Sequence, residues 1–219
     1  QRALQNLIRS NLTTVQRIEM SNDRMGNADI LSAVLQSDIE KLRQTAENVD
    51  REEFQAAVEA ILTAKNIYIL GVRSSSSLAS FLDHSLRMIF DNVRRVQTAS
   101  GAEVFEQMLS VGKDDAVIAI SFPRYSKRII KATEYAHKSG ADVICLTDSV
   151  ESPLAASADQ LLVAQSDMAS FVDSLVAPLS VINALVVAVS RACQEQVTER
   201  LRQLEVIWDE YDIYDKTQQ

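Results

Sequence analysis

Asn66-Ile67-Tyr68-Ile69-Leu70-Gly71-Val72-Arg73-Ser74-Ser75-Ser76-Ser77 is the stretch whose reading decides the fold. Its β-branched and aromatic run is too short for a helix and stops at a glycine, and the serines after it open an amphipathic segment of helical length. That is a strand feeding directly into a helix. The same texture recurs along the chain, with strand-like runs at 67–70, 93–97, 116–121, 143–147 and 160–164 and helical periodicity at about 75–90, 102–110, 126–139 and 171–210. Short helix-ending links, Val111-Gly112-Lys113-Asp114 and Ser139-Gly140-Ala141, precede the third and fourth strands. The alternation predicts an α/β fold with a five-stranded parallel, doubly wound sheet. One common strand order, 2-1-3-4-5, has its switch point between strands 1 and 3, so a ligand is expected beyond Leu70 and Ile120.

Working outward toward the N-terminus, residues 1 to about 64 read as helices. Leu4, Leu7, Ile8, Leu12, Val15 and Ile18 form one stripe, and Ile30, Leu31, Val34, Leu35, Ile39 and Leu42 form the next. Asp50 supplies an N-cap and Glu53 an acid at the third helical position, ahead of Phe54, Val58, Ile61 and Leu62. The expected organisation is an N-terminal helical connector over 1–45 and a ligand-binding domain over 46–219. Because the first residue is Gln1 and the apolar stripe starts in the first turn, the sequence is expected to be a fragment of a longer protein.

Composition narrows the function classes. A net charge of −8 over 219 residues argues against this chain gripping a nucleic-acid backbone, which needs clustered Lys and Arg. With five glycines and three prolines, helices are expected to dominate. Cys145 and Cys193 have neither metal-ligand spacing nor a disulfide framework and read as core fillers in a reducing compartment. No basic-then-apolar leader opens the sequence, and the apolar stretch 171–190 carries Asp173, Pro178 and Asn183, each costly in hydrocarbon. A cytoplasmic protein without a membrane partner is expected, with 171–190 a buried helix or an oligomer interface.

Two loops carry chemistry. After strand 1, Arg73 and the hydroxyls of Ser74, Ser75, Ser76 and Ser77 stand at a helix N-terminus, where backbone N–H groups and the helix dipole favour an anion. After strand 3, Ser121-Phe122-Pro123-Arg124-Tyr125-Ser126-Lys127 repeats the arrangement, with hydroxyls from Ser121 and Ser126 and a guanidinium from Arg124. A single serine here would be an ordinary N-cap. Four serines with an arginine, and a second such loop expected alongside, point to an anion site.

These segments resemble the SIS (sugar isomerase) domain, whose pattern runs Gly-x-Gly-x-Ser-x-x-x-Ala after strand 1 and Ser-x-Ser-Gly-x-Thr after strand 3. Gly71, Ser75 and Ala79 match the first part, with Arg73 at the second glycine. Ser121 and Ser126 match the second part, with Pro123 and Arg124 in place of the central Ser-Gly. Ile144-Cys145-Leu146-Thr147-Asp148, Ser152-Pro153-Leu154-Ala155 and Ala158-Asp159 look like the family's continuation. The wording of both loops is most similar to RpiR-type transcriptional regulators, over about residues 1–210. What the resemblance implies is a connector in the first forty or so residues, a domain sensing a sugar phosphate or related acidic metabolite, and DNA contact only through a helix-turn-helix domain preceding Gln1. One phosphate-binding hydroxyl of the family pattern is lost to Pro123. Arg73 and Arg124 fit either electrostatic compensation for it or a carboxylate ligand in place of a phosphate.

The candidate ligand contacts are thus Arg73, Ser74, Ser75, Ser121, Arg124 and Ser126, with Glu103 and Glu106 added as contacts to sugar hydroxyls across a dimer. Those two acids open the helix after strand 2, where the dipole favours acids in any case. An aldose–ketose isomerase is the alternative from another class, and it needs an acid–base group poised over the sugar. His84 and His137, within and late in their helices, are expected to be surface or partly packed residues, so no enzyme, cofactor or metal is expected. Trp208, Tyr211 and Tyr214, among Asp209, Glu210, Asp212 and Asp215, read as a fraying helix end packed on a partner or as a disordered tail. The apolar faces of 4–18 and 175–190 predict a homodimer or a dimer of dimers.

Overall fold

A computed structural model describes residues 12–25, 29–97, 100–166 and 173–214. Three helices lead in: α1 (Thr14–Met25), α2 (Ile30–Asn48) and α3 (Arg51–Thr63). Leu4, Leu7 and Ile8 of the first expected stripe lie outside the described residues. Asp50 caps α3 as its sequence position requires, accepting from the backbone N–H groups of Glu52 at 2.8 Å and Glu53 at 3.1 Å. The Glu53 carboxylate does not complete a capping box; it accepts from the Leu161 N–H at 2.9 Å and so ties α3 to the last strand.

The sheet follows: β1 (Ile67–Gly71), α4 (Ser75–Arg87), β2 (Val93–Arg95), α5 (Gly101–Gln107), β3 (Ala116–Ile120), α6 (Lys127–Lys138), β4 (Asp142–Thr147), a 3₁₀ turn at Ala155–Ser157, β5 (Gln160–Val163), α7 (Val176–Ala192) and α8 (Gln194–Glu210). All five strands are parallel, in the order β2-β1-β3-β4-β5. This is the expected doubly wound α/β sheet, and it places β1 beside β3 at the switch point.

Burial on both faces explains why the central strands read as continuous apolar runs rather than alternating ones. Strand period two sends Ile67, Ile69, Ile118, Ile120, Ile144 and Leu146 to one side, where they pack with α3, α4 and α7. Tyr68, Leu70, Val117, Ala119, Val143 and Cys145 face the other side, against α5 and α6. At the amino ends of the strands, Asn66 donates to Asp115 at 2.7 Å, and the second Asp115 oxygen accepts from the Gly112 N–H at 3.0 Å. These bonds tie together the segments that enter β1 and β3. Gly140, at φ 83°, ends α6 in the left-handed conformation that glycine adopts without strain.

Two expectations change. The helical run expected over 171–210 is two helices meeting at Cys193, with a bend of 98°. Residues 173–175 are not helical, and 171–172 lie outside the described residues. The bend follows tertiary packing: α7 buries Val181, Ile182, Leu185 and Val189 against the sheet. The charged α8 turns away over the end of α4, where Arg200 reaches Asp91 at 2.7 Å and the Arg87 carbonyl at 3.2 Å. The apolar face of α7 is therefore spent on the core, and only Val187 on it is a large exposed apolar side chain. Among the described residues no single helix is long and apolar enough to cross a membrane.

Candidate functional site

Gly71 and Ile120 are register partners in the β1–β3 ladder, so the loops leaving these strands start side by side. Between them lies a cavity of about 240 Å³ lined by Val72, Arg73, Ser74, Ser75, Ser121, Phe122, Pro123, Arg124 and Ser126, together with Thr14, Arg17 and Asp173. Gly71 is required at the end of β1 by close packing rather than by its dihedral angle. A Cβ there would stand 2.7 Å from the Ser75 carbonyl oxygen and 2.8 Å from the Ala79 Cβ. The absent side chain lets α4 start directly against the strand and brings Ser75 to the cavity floor.

Ser75 and Ser121 are nearly enclosed, at 5% and 4% exposure, whereas Arg73 and Arg124 stand exposed at the rim. Both arginines hold a left-handed backbone, at φ 55° and 67°. The Arg124 guanidinium donates from Nη1 to the Thr14 hydroxyl at 2.8 Å, bringing α1 across the mouth.

The two helix ends differ in what they offer an anion. At α6, Ser126 is the N-cap but makes no side-chain cap bond. The Ser126 hydroxyl is therefore not spent on capping its own helix, and a helix start of this kind favours an anion. At α4 the N–H groups of Ser75, Ser76 and Ser77 are engaged in tight turns with the carbonyls of Val72, Arg73 and Ser74, at 3.1, 3.1 and 3.3 Å. That end contributes hydroxyls, dipole and the Arg73 charge rather than free backbone donors.

Arg73, Ser74, Ser75, Ser121, Arg124 and Ser126 are thus brought together around one cavity. Glu103 and Glu106 are not among its lining residues. Both are exposed on α5, and Glu103 completes a capping box with Ser100, each accepting at 3.2 Å from the other's backbone N–H. His84 is exposed on α4, and His137, also exposed, lies 3.5 Å from Asp159. No histidine lines the cavity among the described residues, and its one carboxylate, Asp173, is paired with Arg17 at 3.0 Å.

Arg17, Thr14 and Asp173 were not expected at the site from sequence. Arg17 had a signal: it interrupts the apolar neighbours Val15 and Ile18 on a helix, but a charge between apolar positions normally marks the solvated face. Asp173, in an otherwise apolar stretch, speaks in sequence only against a membrane span. Burial pushes the Cys145 thiol up to about 12, with a smaller push from the Asp159 charge, so it is an inert core residue.

Comparison with known proteins agrees with this fold. The family model described as the SIS domain matches residues 60–188. A helix-turn-helix-type transcriptional regulator of Caldanaerobacter subterraneus subsp. tengcongensis is 30% identical over 161 residues, which cover 72% of this chain and 55% of the relative. The chain spans about half the length of the curated relatives it matches. The sugar isomerase domain of an RpiR transcription factor from Sphaerobacter thermophilus superposes with a TM-score of 0.76 at 30% identity, over 80% of this chain and 97% of that one. Vibrio vulnificus NanR, solved with ManNAc-6P, superposes with a TM-score of 0.72 at 24% identity, over 87% of this chain and 73% of that one, a likeness of fold. With the sheet order, the paired loops and a family match over more than half its length, the chain belongs to the SIS domain family.

Proposed function

We propose that this chain is the effector-sensing part of a bacterial, cytoplasmic transcriptional regulator. In this reading it binds a sugar monophosphate or a related small anionic metabolite in the cavity between the β1 and β3 loops. DNA is bound by a helix-turn-helix domain of the regulator, to which residues 1–45 connect the sensing domain. The observation that carries the reading is the convergence of Arg73, Arg124, Ser75, Ser121 and the uncapped start of α6 on one cavity. Its support from relatives is the regulators matched in sequence and the ManNAc-6P bound by NanR.

The isomerase reading shares the fold and the loops, so the fold cannot decide between them. What favours a sensor is the cavity's chemistry. A proton shuttle needs a free base over the sugar, and the lining carboxylate is held by a guanidinium. Dimeric assembly belongs to the same proposal, since a two-fold operator is read by paired subunits. Val15 and Ile18 of α1 and Leu31, Leu35 and Ile39 of α2 are exposed and offer the apolar surface.

Calorimetric titration with inorganic phosphate and hexose 6-phosphates tests the site. Charge-assisted hydrogen bonds contribute about 1.5–3 kcal/mol, so Arg124→Ala is expected to weaken binding about tenfold or more. Ser121→Ala is expected to cost less, because a neutral hydroxyl bond is worth about 1 kcal/mol. Unchanged affinity in both folded variants would remove the site. Isomerase turnover above about 1 per second on pentose or hexose phosphates would replace the sensor with an enzyme.

A further inference from the structure

Arg17 lies in the first turn of α1, outside the sheet domain, yet its side chain is 2% exposed and lines the same cavity as the two loops. Nη1 donates to Asp173 Oδ1 at 3.0 Å, across 156 positions of sequence. Nε and Nη2 are buried with no hydrogen-bond partner among the described residues. Buried N–H groups of a guanidinium that have lost water and found no acceptor are costly, and native structures seldom leave them so. A strut holding α1 in place would need only the Nη1–Asp173 bond. The two empty nitrogens, on a side chain that lines a cavity, call for an acceptor arriving with a ligand.

Charge decides which acceptor. Arg17, Arg73 and Arg124 bring three positive charges to the cavity and Asp173 removes one, which leaves two. A phosphate monoester carries about −1.5 to −2 at neutral pH. The phosphate alone therefore balances the site, and a second anionic group on the ligand would be in excess. Arg17, already compensated by Asp173, is left to donate to neutral oxygens.

We infer that Arg17 and Asp173 form the sugar-reading half of the site. Arg17 donates from Nε and Nη2 to hydroxyl or carbonyl oxygens of a singly phosphorylated sugar, and Asp173 accepts from a neighbouring hydroxyl. The ligand then bridges the loops of the sheet to α1, so that occupancy holds the connector helix against the domain. Phosphorylated sugar acids are disfavoured. This rests on the reading of the cavity as a sugar-phosphate site.

The test compares inorganic phosphate with glucose 6-phosphate, fructose 6-phosphate, N-acetylmannosamine 6-phosphate and 6-phosphogluconate on wild-type protein and Arg17→Lys. Lysine keeps the charge and the Asp173 pair but lacks the planar fork. Wild-type protein is expected to bind at least one neutral-sugar phosphate about tenfold more tightly than inorganic phosphate, a difference that calorimetry resolves readily. Arg17→Lys is expected to abolish that preference, bringing the affinity for the sugar phosphate down to that for inorganic phosphate. In wild-type protein, where folding of a variant is not at issue, amide exchange over residues 14–25 is expected to slow with the sugar phosphate and not with inorganic phosphate. A preference that survives Arg17→Lys, a wild type that ranks no neutral-sugar phosphate above phosphate, or protection confined to the 72–77 and 121–127 loops overturns the inference. In each of those cases, phosphate binding that still depends on Arg124 leaves the site itself standing. A wild type that binds neither phosphate nor any of the sugars removes the underlying reading as well.

Discussion

Arg73 and Arg124 enter one cavity from neighbouring loops, and each does so from a left-handed backbone, at φ 55° and 67°. In a residue with a Cβ that conformation costs roughly 1–2 kcal/mol, which glycine avoids. Arg124 and Arg73 stand where the SIS pattern has glycine, so the chain retains a glycine-shaped backbone and adds a guanidinium at each place. Strain of this kind concentrates where function over-determines the structure.

The first prediction isolates that strain. At either position the glycine variant is expected to be more stable than the alanine variant by about 1 kcal/mol, the reverse of their order in a helix. Both substitutions should weaken phosphate binding alike, because both remove the charge. Urea denaturation checks the first statement and calorimetry the second; an alanine variant as stable as the glycine variant would show that the loop relaxes without cost.

Gly71→Ala is expected to act on both fold and site. The new methyl group would meet the Ser75 carbonyl oxygen at 2.7 Å and the Ala79 Cβ at 2.8 Å, so α4 must retreat from β1. Overpacking of this kind costs about 1–3 kcal/mol. Because Ser75 moves with α4, phosphate affinity should fall together with the melting temperature. Loss of stability with full phosphate affinity would mean that Ser75 is not a contact.

The two cysteines are expected to differ in reactivity. Burial raises Cys145 from 9.0 to about 12 and, to a lesser extent, raises the half-buried Cys193. At pH 8 a thiol reagent should modify Cys193 first and Cys145 only on unfolding. The linkage has a definite sign. Above about pH 9 the unfolded chain releases these thiol protons while the folded chain keeps them, so stability falls as pH rises toward 12. Rapid labelling of Cys145 in native protein would contradict its burial in the core.

Assembly is expected to follow the exposed stripe of α1 and α2 rather than α7. Leu35 and Ile39 are 54% and 56% exposed one helical turn apart, beside Leu31. Sedimentation of wild-type protein at micromolar concentration should give a dimer or tetramer of the 24.3 kDa chain. Leu35→Glu with Ile39→Glu should give a monomer with the fold intact, and an unaltered oligomer in that variant would place the interface elsewhere.

Much of the architecture was legible because its causes are local. The run from Ile67 to Leu70, and its counterparts at 116–120 and 143–147, are short, apolar and punctuated, and that pattern alone specifies buried parallel strands. The loops could be read for the same reason: Arg73, Ser75, Ser121 and Arg124 follow their strands directly, so placing the strands placed them. Glu103 was legible only as a helix-opening acid, and a capping box with Ser100 is what it forms.

The sequence by itself determined the alternation of strand and helix, the end of the first strand at Gly71 and two hydroxyl- and arginine-bearing loops at strand ends. Only the tertiary structure decided that α7 and α8 bend at Cys193, that Arg124 reaches Thr14 across 110 positions, and that Arg17 and Asp173 close the cavity from 156 positions apart. The reason is physical. A periodic pattern records which face of an element is buried, but a charge on α1 looks the same in sequence whether it faces water or a carboxylate in the core. Arg17 is fixed by the packing of a helix outside the sheet, which no local pattern specifies.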